Sequence, residues 1–180
     1  LRTKQKIGYA STPAFAPKEV QEIWKLRKAG LGLLLGMKGE KKPIAFVEDT
    51  AVDPAKLPEF IRGFREILKQ HDVEAGYYGH CSVGCLHIRP LINLKEPREV
   101  TKMVAIANAI TDLVLEYGGA LSGEHGDGLA RSHFNERLYG PVLYEAFRRV
   151  KRVFDPTNLM NPGKIVDAPP MTESLRIGPS

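Results

Sequence analysis

Only two of the 180 residues are cysteine, Cys81 and Cys85, and they stand four apart in one short segment. A bridge between them would close a tiny loop, which excludes the disulfide framework of a small secreted domain and leads us to expect a reducing, cytoplasmic compartment. Long apolar runs are missing too. The longest, residues 31–37, includes two glycines and falls far short of the roughly 18–20 residues that cross a bilayer, so no transmembrane segment is expected. No apolar signal-peptide core follows Arg2, Thr3 and Lys4, and the first residue is Leu1 rather than Met. The expectation is a segment that starts inside a longer chain. There is no internal repeat. The formal charge of +5 is not concentrated either. A nucleic-acid surface gathers its lysines and arginines on one face, whereas here they are dispersed, and the densest group, Arg148, Arg149, Lys151 and Arg152, reads as the wet face of an amphipathic helix. No nucleic-acid partner is expected. A few of these charges suit a cleft for an anionic substrate or a flavin phosphate.

What is present suits one globular domain. The content of 43% hydrophobic and 26% charged residues is ordinary, and a chain of this length can bury a true core. A helix is expected over residues 17–29, with Pro17 in its first turn, Glu19 and Glu22 near the positive end of its dipole, and Gly30 as its stop. Residues 31–37 read as a short strand or a glycine-rich return, and 43–49 as a strand. A second helix over 56–70 carries the stripe Leu57, Phe60, Ile61, Phe64, Ile67 and Leu68. Two strands are expected over 73–78 and 86–91, a long helix over 98–117, and a brief strand over 120–122. Pro141 opens a last helix with the inner line Leu143, Ala146, Phe147, Val150 and Phe154, stopped at Asp155-Pro156. Beyond Lys164 the chain turns polar and proline-rich, and 167–180 are expected to be a linker or disordered tail. This order predicts an α+β fold: an antiparallel sheet with helices on one face, ferredoxin-like, followed by a C-terminal helical segment.

The chemistry-bearing residues cluster in two glycine-flanked segments, where backbone can approach a ligand closely. One runs from Gly79 to His87 and holds His80, Cys81, Cys85 and His87. The other reads Ser122-Gly123-Glu124-His125-Gly126. If a tight turn joins the two strands, His80 and His87 point into one cleft. Two imidazoles and a carboxylate form a three-ligand site with an open position for Zn²⁺ or a similar divalent cation, and Glu124 is the carboxylate at hand. A packed, hydrogen-bonded role competes at each histidine. In an extended segment Cys81 faces away from His80, while Cys85 shares the face of His87, leaving cysteine ligation or simple packing open there. His125 is placed to accept a substrate proton. Arg89, two residues after His87, projects from the same face with a guanidinium shaped for a carboxylate, and Arg27 is a second candidate. His71 reads as a helix-end residue, and His133 has no assigned role.

Taken together, these motifs resemble the FAD-linked oxidases of the vanillyl-alcohol oxidase type, in the branch with D-lactate, glycolate and D-2-hydroxyglutarate dehydrogenases. The resemblance covers most of residues 20–166. It rests on Gly79-His80 with Leu86-His87, on Ser122 to Gly126, and on the run Asp155-Pro156-Thr157-Asn158-Leu159-Met160-Asn161-Pro162-Gly163-Lys164. Trp24 with Arg27, and Asp49 to Val52, agree more loosely. The resemblance implies that His80, His87 and Glu124 hold a divalent metal, that His125 is the base beside the flavin ring, that Arg89 and Arg27 bind the substrate acid, and that Asn161 lies on the flavin side. Arg89 stands where members often carry asparagine. Residues 1–166 would then be the substrate-side domain of a FAD-dependent 2-hydroxyacid dehydrogenase, partnered by an upstream FAD-binding domain that this sequence lacks. The tail resembles a connector to an iron–sulfur region, and peripheral membrane association of the intact enzyme is compatible with this. The substrate would be a small 2-hydroxy acid whose identity is set by pocket shape. The competing classes are a metal-dependent hydrolase using the same ligands, and a non-catalytic ferredoxin-like module binding protein or RNA.

Overall fold

The computed structural model describes residue 10 and residues 12–179. These fall into two units, one ending at Lys38 and the other beginning at Gly39. The first unit is built on helix α1 (Pro17–Leu35). Its start follows from Pro17 in the first turn and from Glu19, whose carboxylate accepts the N–H groups of Phe15 and Ala16 at 3.3 and 3.2 Å. The expected stop at Gly30 is overturned. The helix runs through Gly30 and Gly32 and closes at Gly36, whose N–H donates to the Gly32 carbonyl at 2.9 Å. Each interior glycine costs only about 1 kcal/mol, and the leucines of 31–35 are good helix formers, so neither a strand nor an irregular return forms there. No residue of α1 is buried, and Trp24, Leu26 and Leu33 are exposed.

The second unit holds the sheet: β1 (Lys42–Pro43), β2 (Thr50–Ala51), β3 (Ala75–His80) and β4 (Cys85–Ile92). Strand β4 is central. On one edge it pairs with the whole of β3, from Ala75↔Pro90 to His80↔Cys85, and on the other with β1 and β2, all antiparallel. An isolated bridge between Ala51 and Ala120 extends the sheet beyond β2. Helix α2 (Leu57–Gln70) joins β2 to β3, and helix α3 (Pro97–Glu116) joins β4 to the Ala120 bridge. The spatial order Ala120, β2, β4, β3 with two crossover helices is the βαββαβ arrangement of a ferredoxin-like domain, as expected.

The core lies between the sheet and these helices. Leu57, Phe60, Phe64 and Leu68 line α2, and Met103, Ile106, Ala107, Ile110 and Val114 line α3. They meet Leu86, Ile88 and Ile92 from alternate positions of β4. Burying each of these large side chains contributes roughly 1.5–3 kcal/mol relative to exposure. Gly63 gives α3 room: a Cβ there would lie 3.0 Å from the Leu113 side chain.

Other elements differ from the expected ones. The strand foreseen over 43–49 is interrupted: only Lys42–Pro43 and Thr50–Ala51 pair, and the stretch between bends so that Phe46, Val47, Glu48, Asp49 and Thr50 are all buried. Asp49 takes φ = 76°, which breaks an extended run. The expected strand at 120–122 is reduced to the single bridge at Ala120. After the short helix α4 (Gly128–Arg131), helix α5 (Asn135–Phe154) is broken at Gly140 (φ 75°, ψ 163°) just before Pro141, so its regular part begins where Pro141 predicts. Its inner face differs from the expected line, however. Leu143, Val150 and Phe154 are exposed, and the buried residue is Tyr144. In the segment expected to be a linker, Met171 is buried and belongs to the core cluster, with Leu175 packed against it.

The β3–β4 connection is a tight turn over Cys81–Val83 that ends in Gly84 with φ = 72°. A Cβ at Gly84 would fall 1.8 Å from the Val52 carbonyl oxygen. Gly84→Ala therefore combines left-handed strain with a backbone overlap, and a loss of about 3 kcal/mol or more is expected in urea unfolding. An unchanged midpoint would show that the turn is not held as described.

Candidate active site

The period of two along β4 separates structure from chemistry. While Leu86, Ile88 and Ile92 enter the core, Cys85, His87 and Arg89 face the other side. Register puts β3 residues beside them on that face: His80 opposite Cys85, and Tyr78 opposite His87. The rings of His80 and His87 come within 5.3 Å, edge to face, as the hairpin spacing predicted.

Glu124 and His125 arrive from the loop after α3, and a buried carboxylate secures them. Asp49 is fully buried. Its Oδ2 accepts the Ser122 hydroxyl at 2.7 Å and the N–H groups of Glu124 and His125 at 3.0 and 2.8 Å. Burial pushes the Asp49 carboxyl up, but the hydrogen bonds from His125, Glu124 and Ser122 outweigh it and leave the group below the usual aspartate range. Its other oxygen lies 3.5 Å from the Cys85 thiol, which burial, followed by the Asp49 contact, pushes up to about 12. Both influences disfavour the Cys85 thiolate.

The neighbouring carboxylate points elsewhere. Glu48 Oε1 is 2.8 Å from His125 Nδ1, and its Oε2 pairs with an Arg89 NH2 at 3.0 Å. Tyr78 completes this corner, accepting from Arg89 Nε at 3.1 Å and donating to Glu48 Oε2 at 3.5 Å. Behind it the buried Arg131 donates to the Glu48 carbonyl (3.1 Å), the Ala45 carbonyl (3.5 Å) and the Gly126 carbonyl (2.7 Å). One guanidinium thereby ties the bent 45–48 stretch to the 122–126 loop. Burial lowers the Arg131 pKa against the pull of Asp49, Glu48 and Asp127.

Three imidazoles converge on Glu124. His80 Nε2 is 3.5 Å from Oε1, and His87 Nε2 and His125 Nε2 are each 3.7 Å from Oε2. These separations exceed the usual hydrogen-bond range of about 2.7–3.2 Å. They approach the roughly 3.3 Å between neighbouring ligands of a tetrahedral ion held at about 2.0–2.1 Å. The buried Nδ1 of His87 has no hydrogen-bond partner and lies 3.8 Å from Asp49 Oδ1, while burial, the largest influence, lowers the His87 pKa and favours the neutral ligand form. The donor set therefore fits a divalent cation. One ligand atom each from Asp49, His87, Glu124 and His125 lie within 4.8 Å of one another, a grouping that shares His87 and Glu124 with the expected triad, leaves out His80, and adds Asp49 and His125. The mouth is half open: the side chains of His80, Glu124 and His125 are 40–46% exposed, whereas His87 is 4% exposed.

The other expected site residues are Arg27 and Asn161. Arg27 belongs to α1 in the other unit. Asn161 is exposed with φ = 48°, in a loop shaped by Asp155, which accepts the N–H groups of Leu159 and Met160 at 2.9 Å each. His71 caps α2 through its backbone N–H. His133 is set against Phe134, its pKa lowered by burial. A cavity of about 620 Å³ where the end of α2 meets β3, lined by Arg62, Arg65, Lys69 and Tyr77 among others, holds none of the histidines. Sequence reading missed Glu48, Asp49, Tyr78 and Arg131. The available signal was two consecutive carboxylates directly after the apolar Phe46-Val47, inside a stretch that otherwise reads as core.

An α+β domain with a histidine–carboxylate cluster on the open side of its sheet is the class that fold and site define. The chain belongs to the family of FAD linked oxidases, C-terminal domain, whose model matches residues 4–165. It is similar to the D-2-hydroxyglutarate dehydrogenase of Haemophilus influenzae, 43% identical over 146 residues, covering 81% of this chain and 14% of that protein. The enzyme of the same name from Escherichia coli is 41% identical over 157 residues, with 84% of this chain and 15% of that protein covered. The D-lactate dehydrogenase of Archaeoglobus fulgidus is 34% identical over 128 residues, with 71% and 28% covered. The chain thus spans between about one-seventh and just over a quarter of the length of these relatives.

Asp49→Asn keeps the shape but removes the charge that three donors face. Hydrogen bonds to charged groups contribute roughly 1.5–3 kcal/mol each and share one acceptor here, so a loss of about 3 kcal/mol is expected at neutral pH. A carboxyl whose folded pKa is depressed contributes stability above its unfolded pKa of about 3.9 and loses it as pH falls through the folded value. The gap between wild type and variant, read by urea unfolding, should therefore narrow in acid. A gap that is constant down to pH ~2 would contradict an ionised Asp49.

Proposed function

We propose that this chain is the substrate- and flavin-facing domain of a FAD-dependent dehydrogenase that oxidises a small 2-hydroxy acid to the 2-oxo acid. The observation that carries the reading is the convergence of three imidazole Nε2 atoms on the Glu124 carboxylate, with Arg89 held beside them. Membership of the FAD-linked family and similarity to D-2-hydroxyglutarate and D-lactate dehydrogenases support it.

His80, His87 and Glu124 would hold a divalent cation, zinc by the nitrogen-rich donor set, whose charge favours the ionised form of a nearby hydroxyl. His125 Nε2 would accept that hydroxyl proton, its Nδ1 being engaged by Glu48. Arg89 Nε and one NH2 are occupied by Tyr78 and Glu48, which stiffens the guanidinium and leaves its remaining edge for the substrate carboxylate. When bound, the flavin supplies the two-electron acceptor for the hydrogen leaving C2, and Asn161 would lie on its side. The flavin-binding region would be supplied by the rest of a longer protein, and electrons would pass on to an iron–sulfur centre, quinone or other acceptor. The reading includes a cytoplasmic setting, supported by two cysteines that are both free. Among the described residues, no helix is long and apolar enough to cross a membrane.

Elemental analysis of the purified, dialysed chain tests the centre of this reading. Near-stoichiometric zinc, with affinity reduced at least about a hundredfold in His87→Ala and in His80→Ala, is expected. Zinc retained in His80→Ala and lost in Asp49→Asn would instead select the set containing Asp49. In the longer protein, His125→Ala should lower kcat by about 10²–10⁴, and full turnover in that variant would remove His125 as the base.

A further inference from the structure

Glu48 touches both His125 and Arg89, so the two halves of the site meet on it. We propose that Glu48 is a positioning residue: it fixes His125 as the tautomer with the proton on Nδ1 and the lone pair on Nε2, and it links that ring to Arg89. The inference deepens the dehydrogenase reading and rests on it for what Nε2 then does. The state of the ring itself does not depend on that reading.

The contacts carry the argument. Glu48 is 4% exposed, so water does not compete for its oxygens. An ionised carboxylate only accepts, and Oε1 lies 2.8 Å from His125 Nδ1, so Nδ1 must donate. In a neutral imidazole the other nitrogen is then the acceptor, and this is the atom that faces Glu124 Oε2 at 3.7 Å. The ring is also held flat against His87, centroids 5.0 Å apart and planes within 6°. Glu48 cannot turn away, because Oε2 is anchored by Arg89 and Tyr78 while Arg131 holds its backbone carbonyl. The positive φ of Asp49 sends the two adjacent carboxylates apart, one to the 122–125 loop and the other to His125 and Arg89.

Glu48→Gln should reverse the ring. Arg89 has only donors and claims the amide oxygen, which leaves the amide NH2 facing Nδ1 and turns that nitrogen into the acceptor. The test is long-range proton–nitrogen correlation on the metal-free chain labelled with ¹⁵N-histidine, above the ordinary imidazole titration range, with His125→Ala to assign the signals. Wild type is expected to show a protonated Nδ1 and a bare Nε2 at His125, Glu48→Gln the reverse pattern, and Glu48→Asp, which keeps the charge on a shorter arm, a mixture. A bare Nδ1 in wild type, or a folded Glu48→Gln chain with the wild-type pattern, overturns the proposal. Zinc titration of the same wild-type sample separates the two readings. If no zinc binds but the tautomer still switches with Glu48, the cation reading falls and the role of Glu48 stands.

Discussion

The site depends on one buried anion. Asp49 sits beneath the 122–125 loop and accepts three donors from it, so the loop that carries Glu124 and His125 is shaped around a negative charge. Such a charge is tolerated in a protein interior only when its lone pairs are met by well-placed donors. Donors and acceptor come from segments more than seventy residues apart, which the fold brings together through β2 and the Ala51–Ala120 bridge. Arg131 reinforces the same junction from behind, holding the 45–48 stretch and Gly126 with one planar group.

The hairpin contributes rigidity of another kind. Strand β4 packs Leu86, Ile88 and Ile92 into the core, and because side chains alternate, His87 and Arg89 cannot drift without moving those residues. Ligand-bearing positions thus inherit the precision of a close-packed interior. The loop side is less constrained by packing and relies on hydrogen bonds to Asp49 instead. A site assembled from one packed hairpin and one hydrogen-bonded loop has a buried wall in His87 and a more exposed one in His80, Glu124 and His125.

Much of this was legible from local patterns. The 3.6-residue stripes of α2 and α3 and the alternation in β4 are short-range signals with one dominant solution, and they led to the ferredoxin-like core. The pair His80 and His87 could be placed in one cleft because a tight hairpin leaves few other arrangements. What escaped was set by tertiary context. Glu48 and Asp49 follow Phe46-Val47 and look like the end of a strand. Only their distant donors, in 122–125, Arg89 and Arg131, make their burial tolerable and a left-handed Asp49 worthwhile. The helix stop at Gly30 failed for the opposite reason: a weak local penalty was outweighed by the leucines beyond it. On α5 the apolar line Leu143, Val150 and Phe154 is a true amphipathic pattern, yet in this chain the buried contact is made by Tyr144, whose hydroxyl accepts the Asp167 N–H at 3.0 Å.

The carboxylates of the site fall into two tiers, and the difference between them argues for what the site is for. Glu48 and Asp49 are buried and satisfied, each by donors that fix its direction. Glu124 is 40% exposed, and the ion-pair partners of its carboxylate are the Nε2 atoms of His80, His87 and His125, all at 3.5 Å or beyond. With its Nδ1 engaged by Glu48, a neutral His125 turns the Nε2 lone pair toward Glu124, whereas the Nδ1 of His87 has no hydrogen-bond partner to fix that ring's tautomer. A lone pair facing a carboxylate repels it, and a cation between the two would relieve that repulsion. Glu48, Asp49, Glu124 and Asp127 outnumber Arg89 and Arg131, so the ionised neighbourhood is net negative. A divalent ion among these side chains would oppose that negative charge.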